Sequence, residues 1–477
     1  MSLFVNRKDE LEYLENEYKK KGASLIILYG RRRIGKTELV LKFLDKKPGV
    51  YYLSQKFNAV RQVEDFLDKV CPQIGVYVPK ITKWDMALKF IAENIKRKPV
   101  IIIDEFPYLI EGDSSSISSF QSAWDLYLKD LNIMVIILGS SIGLMETEVL
   151  GYKSPLYGRR TGQMKIEPLK FLDIHQFFPK KSIIDLAQIY GCLGGVPAYL
   201  NKFDEENKFP ENIEEKILKR ATFLNDEAIF LLKEELREPA NYELILEAIS
   251  KGKNRVSEIA DETGMPVQNI PKYLRVLINL GFVKRLHPVV LKKNRDIKTN
   301  TIYEVSDNFL KFWYTFVYPA KSEIEINRSA VISKISENYD SYMGRIFEDL
   351  SNQLLRELNR LNKLPFIFGK IGRAWGKIPG KEKGKNTYEI DLVAFDEYSN
   401  NMLFIECKWQ KLTLKDTESI LDQLKEKSTF IYWKNEIRKD YFCIIAKAIE
   451  GKENLREKGF LAFDLEDFKY ILDKTAK

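Results

Sequence analysis

In Ser24-Leu25-Ile26-Ile27-Leu28-Tyr29-Gly30-Arg31-Arg32-Arg33-Ile34-Gly35-Lys36-Thr37, the uncharged, largely apolar run Ser24–Tyr29 leads into GxxxxGK[ST]. An amphipathic stretch, Glu38–Leu44, follows at once, so the segment reads as strand, loop, helix. The chemistry needs that order. Glycines let the loop wrap so that backbone N–H groups point at phosphate oxygens, and the helix N-terminus adds its dipole beneath the anion. Gly30, Arg31, Arg32, Arg33, Ile34, Gly35, Lys36 and Thr37 are therefore the candidate nucleotide loop. Lys36 would sit on the β- and γ-phosphates and the Thr37 hydroxyl would ligate Mg²⁺. ATP and Mg²⁺ are the expected cofactors.

Four further apolar runs accompany it: Val50–Leu53, Val100–Asp104, Ile133–Leu138 and Gln163–Ile166. Short runs continuous in apolar residues, alternating with amphipathic stretches, indicate a parallel sheet covered by helices on both faces. Val100-Ile101-Ile102-Ile103 ends in Asp104-Glu105, where Asp104 would hold Mg²⁺ and Glu105 would polarise the attacking water. Ser140 closes the fourth run; it either senses the γ-phosphate or caps a helix. Arg159 and Arg160 would supply positive charge to the transition state, in cis or from a neighbouring copy in a homo-oligomer, or else face solvent or DNA.

From Ile183 to Leu236 the pattern turns helical, interrupted by Gly194-Gly195-Val196-Pro197, and Pro239 marks a boundary. Tyr242–Ser250, Val256–Thr263 and roughly Val267–Leu280 then read as three helices, with Pro271 delaying the regular part of the third. A hairpin of Phe282–Leu286 and Ile302–Val305 completes a winged helix-turn-helix. Gln268, Asn269, Lys272, Tyr273 and Arg275 form the exposed face of the third helix, and Val267, Ile270, Leu274, Leu277 and Ile278 its core face. Lys284, Arg285, Lys292 and Lys293 fall on the wing. This face would contact DNA, or the module would pack on the nucleotide core as a regulatory arm.

The net charge of +8 is concentrated. Asn241–Asn300 carries eleven Lys/Arg against six Asp/Glu, and Lys363–Lys385 carries seven basic residues against Glu382 alone. Such segments are expected to face a polyanion, with DNA the expected partner. No uncharged apolar run reaches membrane-spanning length, and Met1–Glu10 has no apolar signal core, so no membrane contact is expected. The four cysteines have no metal-finger spacing, and the cytoplasm is the expected compartment.

Phe4-Val5-Asn6-Arg7-x-x-Glu10-Leu11, Asp104-Glu105-Phe106, Leu156-Tyr157-Gly158-Arg159-Arg160 and Gly194-Gly195-Val196-Pro197, taken with the loop, resemble the archaeal ATPase family, itself similar to the STAND branch of AAA-related P-loop proteins. The resemblance covers about residues 1–300 and implies a helical lid and a winged helix after the core. It implies that Asn6 and Arg7 lie near the adenine and that Pro197 reports nucleotide state to the lid. The triple Arg31-Arg32-Arg33 departs from it, adding charge that would meet phosphate or another chain.

The C-terminal part resembles the PD-(D/E)xK, restriction-endonuclease-like superfamily through Glu348 in a long helix from about Glu337 to Leu361, Asp391 in strand Tyr388–Phe395, and Glu406-Cys407-Lys408 in strand Met402–Lys408. Glu406 and Lys408 share one strand face, and the turn Asp396–Asn401 folds Asp391 towards them. The resemblance implies that Asp391 and Glu406 hold Mg²⁺, joined by Glu348, with Lys408 stabilising the attacking water or the developing charge. Ile390 replaces the proline that names the motif. Glu389 and Gln423 are either part of this site or surface, and Lys363–Lys385 would hold DNA backbone at its mouth.

The expected fold is thus α/β: a P-loop NTPase parallel sheet (1–182), a helical lid (183–238), a winged helix-turn-helix (239–310), a linker (311–336) and an α/β restriction-endonuclease-like domain (337–477). Two functions remain open. In one, ATP hydrolysis controls a DNA-binding, DNA-cleaving C-terminal domain. In the other, the chain is a STAND-type switch whose C-terminal domain is an inactive DNA- or protein-binding module.

Overall fold

The computed structural model describes residues 4–95, 98–236, 238–290, 300–378, 380–382 and 386–475. Contacts divide the chain into two compact units, Met1–Leu169 with Val196–Tyr199, and Lys170–Gly195 with Leu200–Lys477.

The first unit is built on five strands, β1 (Ser24–Tyr29), β2 (Gly49–Leu53), β3 (Val100–Asp104), β4 (Met134–Gly139) and β5 (Gly162–Lys165), each within one residue of its expected position. They form a parallel sheet in the order β2-β3-β4-β1-β5. Burial explains the order. β3 and β4 are buried at every residue, whereas the edge strand β2 alternates half-buried and buried positions and ends exposed, and β5 alternates half-buried with exposed positions. Two cores, one on each sheet face, result: Ile101, Ile103 and Val135 join one, Ile102, Met134 and Ile136 the other. Each such fully buried aliphatic side chain contributes about 1.5–3 kcal/mol. With β4 between them, the loop after β1 and the acids ending β3 both open at the carboxyl end of the sheet, where ligands bind in open α/β folds.

In the second unit, Ile183–Leu193 is a helix capped by Ser182, whose hydroxyl accepts from the Asp185 N–H. The winged helix follows: Ala240–Ser250, Val256–Thr263, a 3-10 turn at Val267–Asn269, the helix Ile270–Asn279, then the antiparallel pair β6 (Val283–Leu286) and β7 (Ile302–Val305). Pro271 stands in the first turn of the third helix, where its missing N–H costs nothing. Val267, expected in the core, is about half exposed, because the 3-10 turn rotates it away from the face that Ile270 begins.

The span 311–336 is not a linker. Asn308–Phe312 runs on through a π-turn at Trp313–Val317, and Lys321–Ile326 leads into a helix from Arg328 to Arg360 that starts well before Glu337. Phe309, Leu310, Phe312, Trp313 and Tyr314 are all essentially fully buried. An apolar cluster packed on all sides has no helical period to betray it.

A second five-stranded sheet contains β8 (Lys370–Lys377), β9 (Thr387–Phe395), β10 (Asn401–Leu412), β11 (Lys439–Ile449) and β12 (Leu461–Phe463), in the order β12-β11-β10-β9-β8. β8, β9 and β10 form an antiparallel meander, and β11 pairs parallel to β10 after the crossover helix Leu414–Ser428. β8 occupies part of the basic segment Lys363–Lys385; Lys383 and Lys385 of that segment, like Lys292 and Lys293 of the wing, lie outside the described residues. The long helix packs on β10 through Phe347 against Trp409, whose indole N–H donates to Asp340 at 2.8 Å.

Candidate functional site

At the carboxyl end of the first sheet, Gly30 has φ +152°, and a Cβ there would lie 2.4 Å from the Ile166 carbonyl, so only glycine fits. The Lys36 ammonium, nearly buried, donates to the carbonyls of Gly30 (2.8 Å) and Arg31 (2.9 Å) and is thereby held along the inside of the loop. Thr37 Oγ1 donates to Asp104 Oδ2 at 2.6 Å, so two hard oxygen ligands from β3 and the helix after the loop stand together. The same carboxylate accepts from the Tyr51 hydroxyl (2.8 Å) and, through Oδ1, from the Glu105 N–H. Burial and the Asp104 charge push the Tyr51 phenol well above its ordinary value, so it remains a donor.

Glu105 takes the left-handed conformation, φ 51°, which turns its side chain off the strand line. Its Oε2 accepts from the Ser140 hydroxyl at 2.6 Å and from the Ser140 N–H at 3.3 Å. Ser140 therefore orients Glu105 and does not cap the following helix, for which no side-chain cap is made.

The other expected residues of this site make the following contacts. Arg7 is buried and donates to the Ile34 carbonyl (2.8 Å) and to Glu10 (2.7 Å), bracing the loop from behind; Asn6 beside it, also left-handed, accepts from the Lys8 N–H. Arg159 forms a multiply bonded pair with Asp125, and Arg160 donates to the Leu150 carbonyl over the Tyr157 ring. Both guanidiniums are thus already committed to neighbouring groups. Arg31 is buried and Arg32 donates to the Tyr108 hydroxyl, so these two do not stand out towards another chain. Pro197 lies against the loop: a Cβ on Gly35 would stand 3.9 Å from Pro197 Cγ, and the Ala198 N–H donates to the Arg33 carbonyl.

The second constellation lies on β9, β10 and two helices. Asp391 Oδ2 accepts from the Cys407 N–H at 2.8 Å, which ties it across the hairpin to β10. Lys408 Nζ lies 2.9 Å from Glu406 and 3.8 Å from Asp391. Lys427, on the crossover helix, donates to both oxygens of Glu406, to Oε1 at 3.1 Å and Oε2 at 3.3 Å. Burial, then the Glu406 charge, push the Asp391 carboxyl up. Lys408 is raised: burial opposes its charge, but Asp391 and Glu406 outweigh burial, so it stays an ammonium. It is suited to stabilising negative charge, not to accepting a proton.

Glu348 faces Asp391 but is held by guanidiniums. Arg345 Nη1 holds both its oxygens at 3.0 and 3.1 Å, and Arg373 Nε stands at 3.4 Å. Both arginines also bond Glu389, and Arg373 pairs closely with Glu304 of β7. Lys284 of β6 pairs with Asp349 (3.1 Å) and Glu304 (3.6 Å), so it faces the protein and not phosphate. Among the described residues no three Asp, Glu, His or Cys side chains converge to hold a metal. On the third winged-helix helix, Gln268, Lys272 and Arg275 are exposed, as is Arg285 on the hairpin, while Asn269 is half-buried. Tyr273 accepts from Asn241 at 3.0 Å.

Burial, with Asp391 beside it, pushes the Glu348 carboxyl up to about 8 despite the two guanidiniums. A carboxyl raised in the folded state contributes its stability below the ordinary value of 4.5 and loses it as pH rises to about 8. Thermal melts should therefore show Glu348→Gln gaining on the wild type by several degrees between pH 5 and pH 9. A gap that stays constant over that range would contradict the shift.

Tyr51, Lys427, Arg345, Arg373 and Glu304 escaped the sequence reading. Lys427 stands one helical turn beyond Gln423 and Arg345 three residues before Glu348; Tyr51, Arg373 and Glu304 meet their partners across elements distant in sequence.

With this geometry in view, the matches to known proteins can be placed. Residues 4–203 match a family described as an ATPase domain predominantly from Archaea. Residues 244–285 match the bacterial regulatory protein, arsR family, a helix-turn-helix model, and 313–420 match a family of archaeal and bacterial proteins of unknown function. The protein MJECL04 of Methanocaldococcus jannaschii is 38% identical over 470 residues, 98% of this chain and 100% of its own length, so the chain belongs to that protein's family. MJ0423 of the same organism, named as an ATP-binding protein, is 62% identical over 45 residues, 9% of this chain and 76% of its own. The Walker-type ATPase PABY2304 of Pyrococcus abyssi shares the fold at a TM-score of 0.50 and 20% identity, over 65% of this chain and 96% of its own. The amino-terminal part is an ATPase domain, a helix-turn-helix follows it, and no helix among the described residues is long and apolar enough to cross a membrane.

Proposed function

We propose that the chain is an Mg²⁺-dependent ATPase that controls a DNA-binding, DNA-cleaving C-terminal domain. The observation that carries the ATPase half is the Thr37–Asp104 contact beside a Glu105 oriented by Ser140. Thr37 and Asp104 offer the hydroxyl and carboxylate oxygens that Mg²⁺ prefers, and when bound the ion would neutralise charge developing on the phosphates. Lys36 holds the β- and γ-phosphates, Glu105 orients and deprotonates the attacking water, and Pro197, resting on the loop, relays its state to the lid.

For the C-terminal domain, the meander-and-crossover sheet with Asp391, Glu406 and Lys408 on adjacent strands supports a PD-(D/E)xK nuclease-like fold. Asp391 and Glu406 are the two acids that would hold a divalent ion there, which would activate water; Lys408 stabilises the charge that builds on phosphate. Gln268, Lys272, Arg275 and Arg285 are the proposed duplex-facing residues of the winged helix.

A second reading, an ATP-driven switch with an inactive binding module, is favoured by Glu348 being locked to Arg345 and Arg373. Plasmid and single-stranded DNA incubated with Mg²⁺ or Mn²⁺, in ATP or ADP, separates the two. Cleavage that changes several-fold with the nucleotide supports control of a nuclease. Cleavage indifferent to nucleotide overturns the control, and DNA binding without cleavage in either metal supports the switch.

A further inference from the structure

The second unit contains a cleft of about 1070 Å³, at the upper end of the size of a drug-sized ligand's site, whose lining reaches Glu406 through Lys427. One wall comes from the winged helix, at Arg255 before its second helix and at Ile302 of β7. The other comes from β8, β9 and the end of the crossover helix, including Lys377, Lys381, Tyr388, Lys427 and Phe430. Two modules far apart in sequence thus enclose one space.

Its chemistry is that of a polyanion with flat apolar parts. Lys377 and Lys381 are exposed, and among the described residues neither has a carboxylate partner. The acids on the cleft, Glu389 and Glu426, are one tied to Arg345 and Arg373 and the other exposed. Tyr388 lies across Gly376 on the neighbouring strand, where a Cβ would meet its ring at 2.9 Å, so the glycine lets the ring lie flat over the strand. Phe430 stands beside it with ring centroids 5.8 Å apart and planes only 32° from parallel. Half-exposed aromatic faces next to lysines are how single strands are held: bases stack and ammonium groups track the phosphates. The space is long enough in lining residues to meet more than one nucleotide of a strand. Its lining includes Lys427, whose ammonium touches Glu406.

We propose that this cleft binds single-stranded polynucleotide, bases on Tyr388 and Phe430 and phosphates on Lys377 and Lys381, and that it feeds the strand to Glu406 and Asp391. The proposal rests on the reading of the C-terminal domain as acting on nucleic acid. It makes the winged helix a wall of the strand site.

The test is fluorescence anisotropy of the full chain in EDTA, with labelled oligo-dT, oligo-rU and a duplex, for wild type, Lys377→Glu/Lys381→Glu and Phe430→Ala. Melting temperatures check that each variant is folded. The charge reversal should weaken single-strand binding at least 10-fold and reduce the salt slope by about 1 for each lysine. Phe430→Ala should weaken it by about 10-fold and relieve the quenching of 2-aminopurine placed in the strand. Equal losses for dT and rU assign a site blind to the sugar, and a larger loss for one names the polymer it prefers; both support the cleft. Single-strand binding unchanged in both variants, or lost only together with equal loss of duplex, overturns it. EDTA removes cleavage from the readout, so failure here leaves the nuclease reading standing, and an inactive nuclease leaves this result standing.

Discussion

In Glu105→Gln, ATP turnover should fall by about 10²- to 10⁴-fold, the range spanned by loss of one positioned general base, while ATP affinity stays within a few-fold of wild type. The carboxylate ends β3 in a left-handed turn and is oriented by the Ser140 hydroxyl and N–H. Glutamine keeps the size and can still bond Ser140, but it cannot take a proton from water. Lys36, Thr37 and Asp104, which meet phosphate and metal in the proposed reading, are untouched. Single-turnover hydrolysis with a parallel titration of a fluorescent ATP analogue separates the two effects. Unchanged turnover would remove Glu105 from the reaction, and lost affinity would show that it acts by shaping the loop.

The second large effect is expected in the C-terminal domain. Asp391→Ala should reduce metal-dependent cleavage by more than about 100-fold, since losing even an outer-shell partner of a metal costs up to that much. The carboxylate also accepts the Cys407 N–H across the hairpin, so the alanine variant risks the β9–β10 register there. Asp391→Asn keeps an acceptor at that place and isolates the charge. Binding of DNA should survive in both, because removing a negative charge beside Lys408 and Lys427 leaves the local field more positive. Cleavage that persists in the asparagine variant sinks the assignment of Asp391 as a metal ligand.

How much of this was legible in advance differs between the two sites. The loop Gly30–Thr37 is contiguous, and its chemistry depends on backbone N–H groups, which need only glycine at the turns and a strand before them. Glu105 followed from its position after a β-branched run. What it touches did not: Ser140 reaches it only because β4 is inserted next to β3 in the sheet. Tyr51 meets Asp104 because β2 pairs with β3, a pairing that no local pattern encodes. Arg7 was expected at the adenine on the strength of a motif, and its bond to the Ile34 carbonyl of the loop was not readable from that motif.

In the C-terminal domain the strands of Asp391 and of Glu406 with Lys408 were readable from alternation, since i and i+2 share a strand face. The fate of Glu348 was not. A carboxylate one helix away from two others reads as a third ligand until the guanidiniums of Arg345 and Arg373, from another turn and another strand, are seen to hold it. Lys284 likewise looked like a wing residue for phosphate, and burial against Glu304 and Asp349 reassigned it.

By itself, then, the sequence determined the strands of the first sheet, the winged helix and the nucleotide loop, because hydrophobic period and loop glycines are local properties of the chain. Tertiary structure alone decided which charges neutralise one another and which stand open. Ion pairing is set by distances between elements remote in sequence and by how much water burial removes, and neither is written in any one segment.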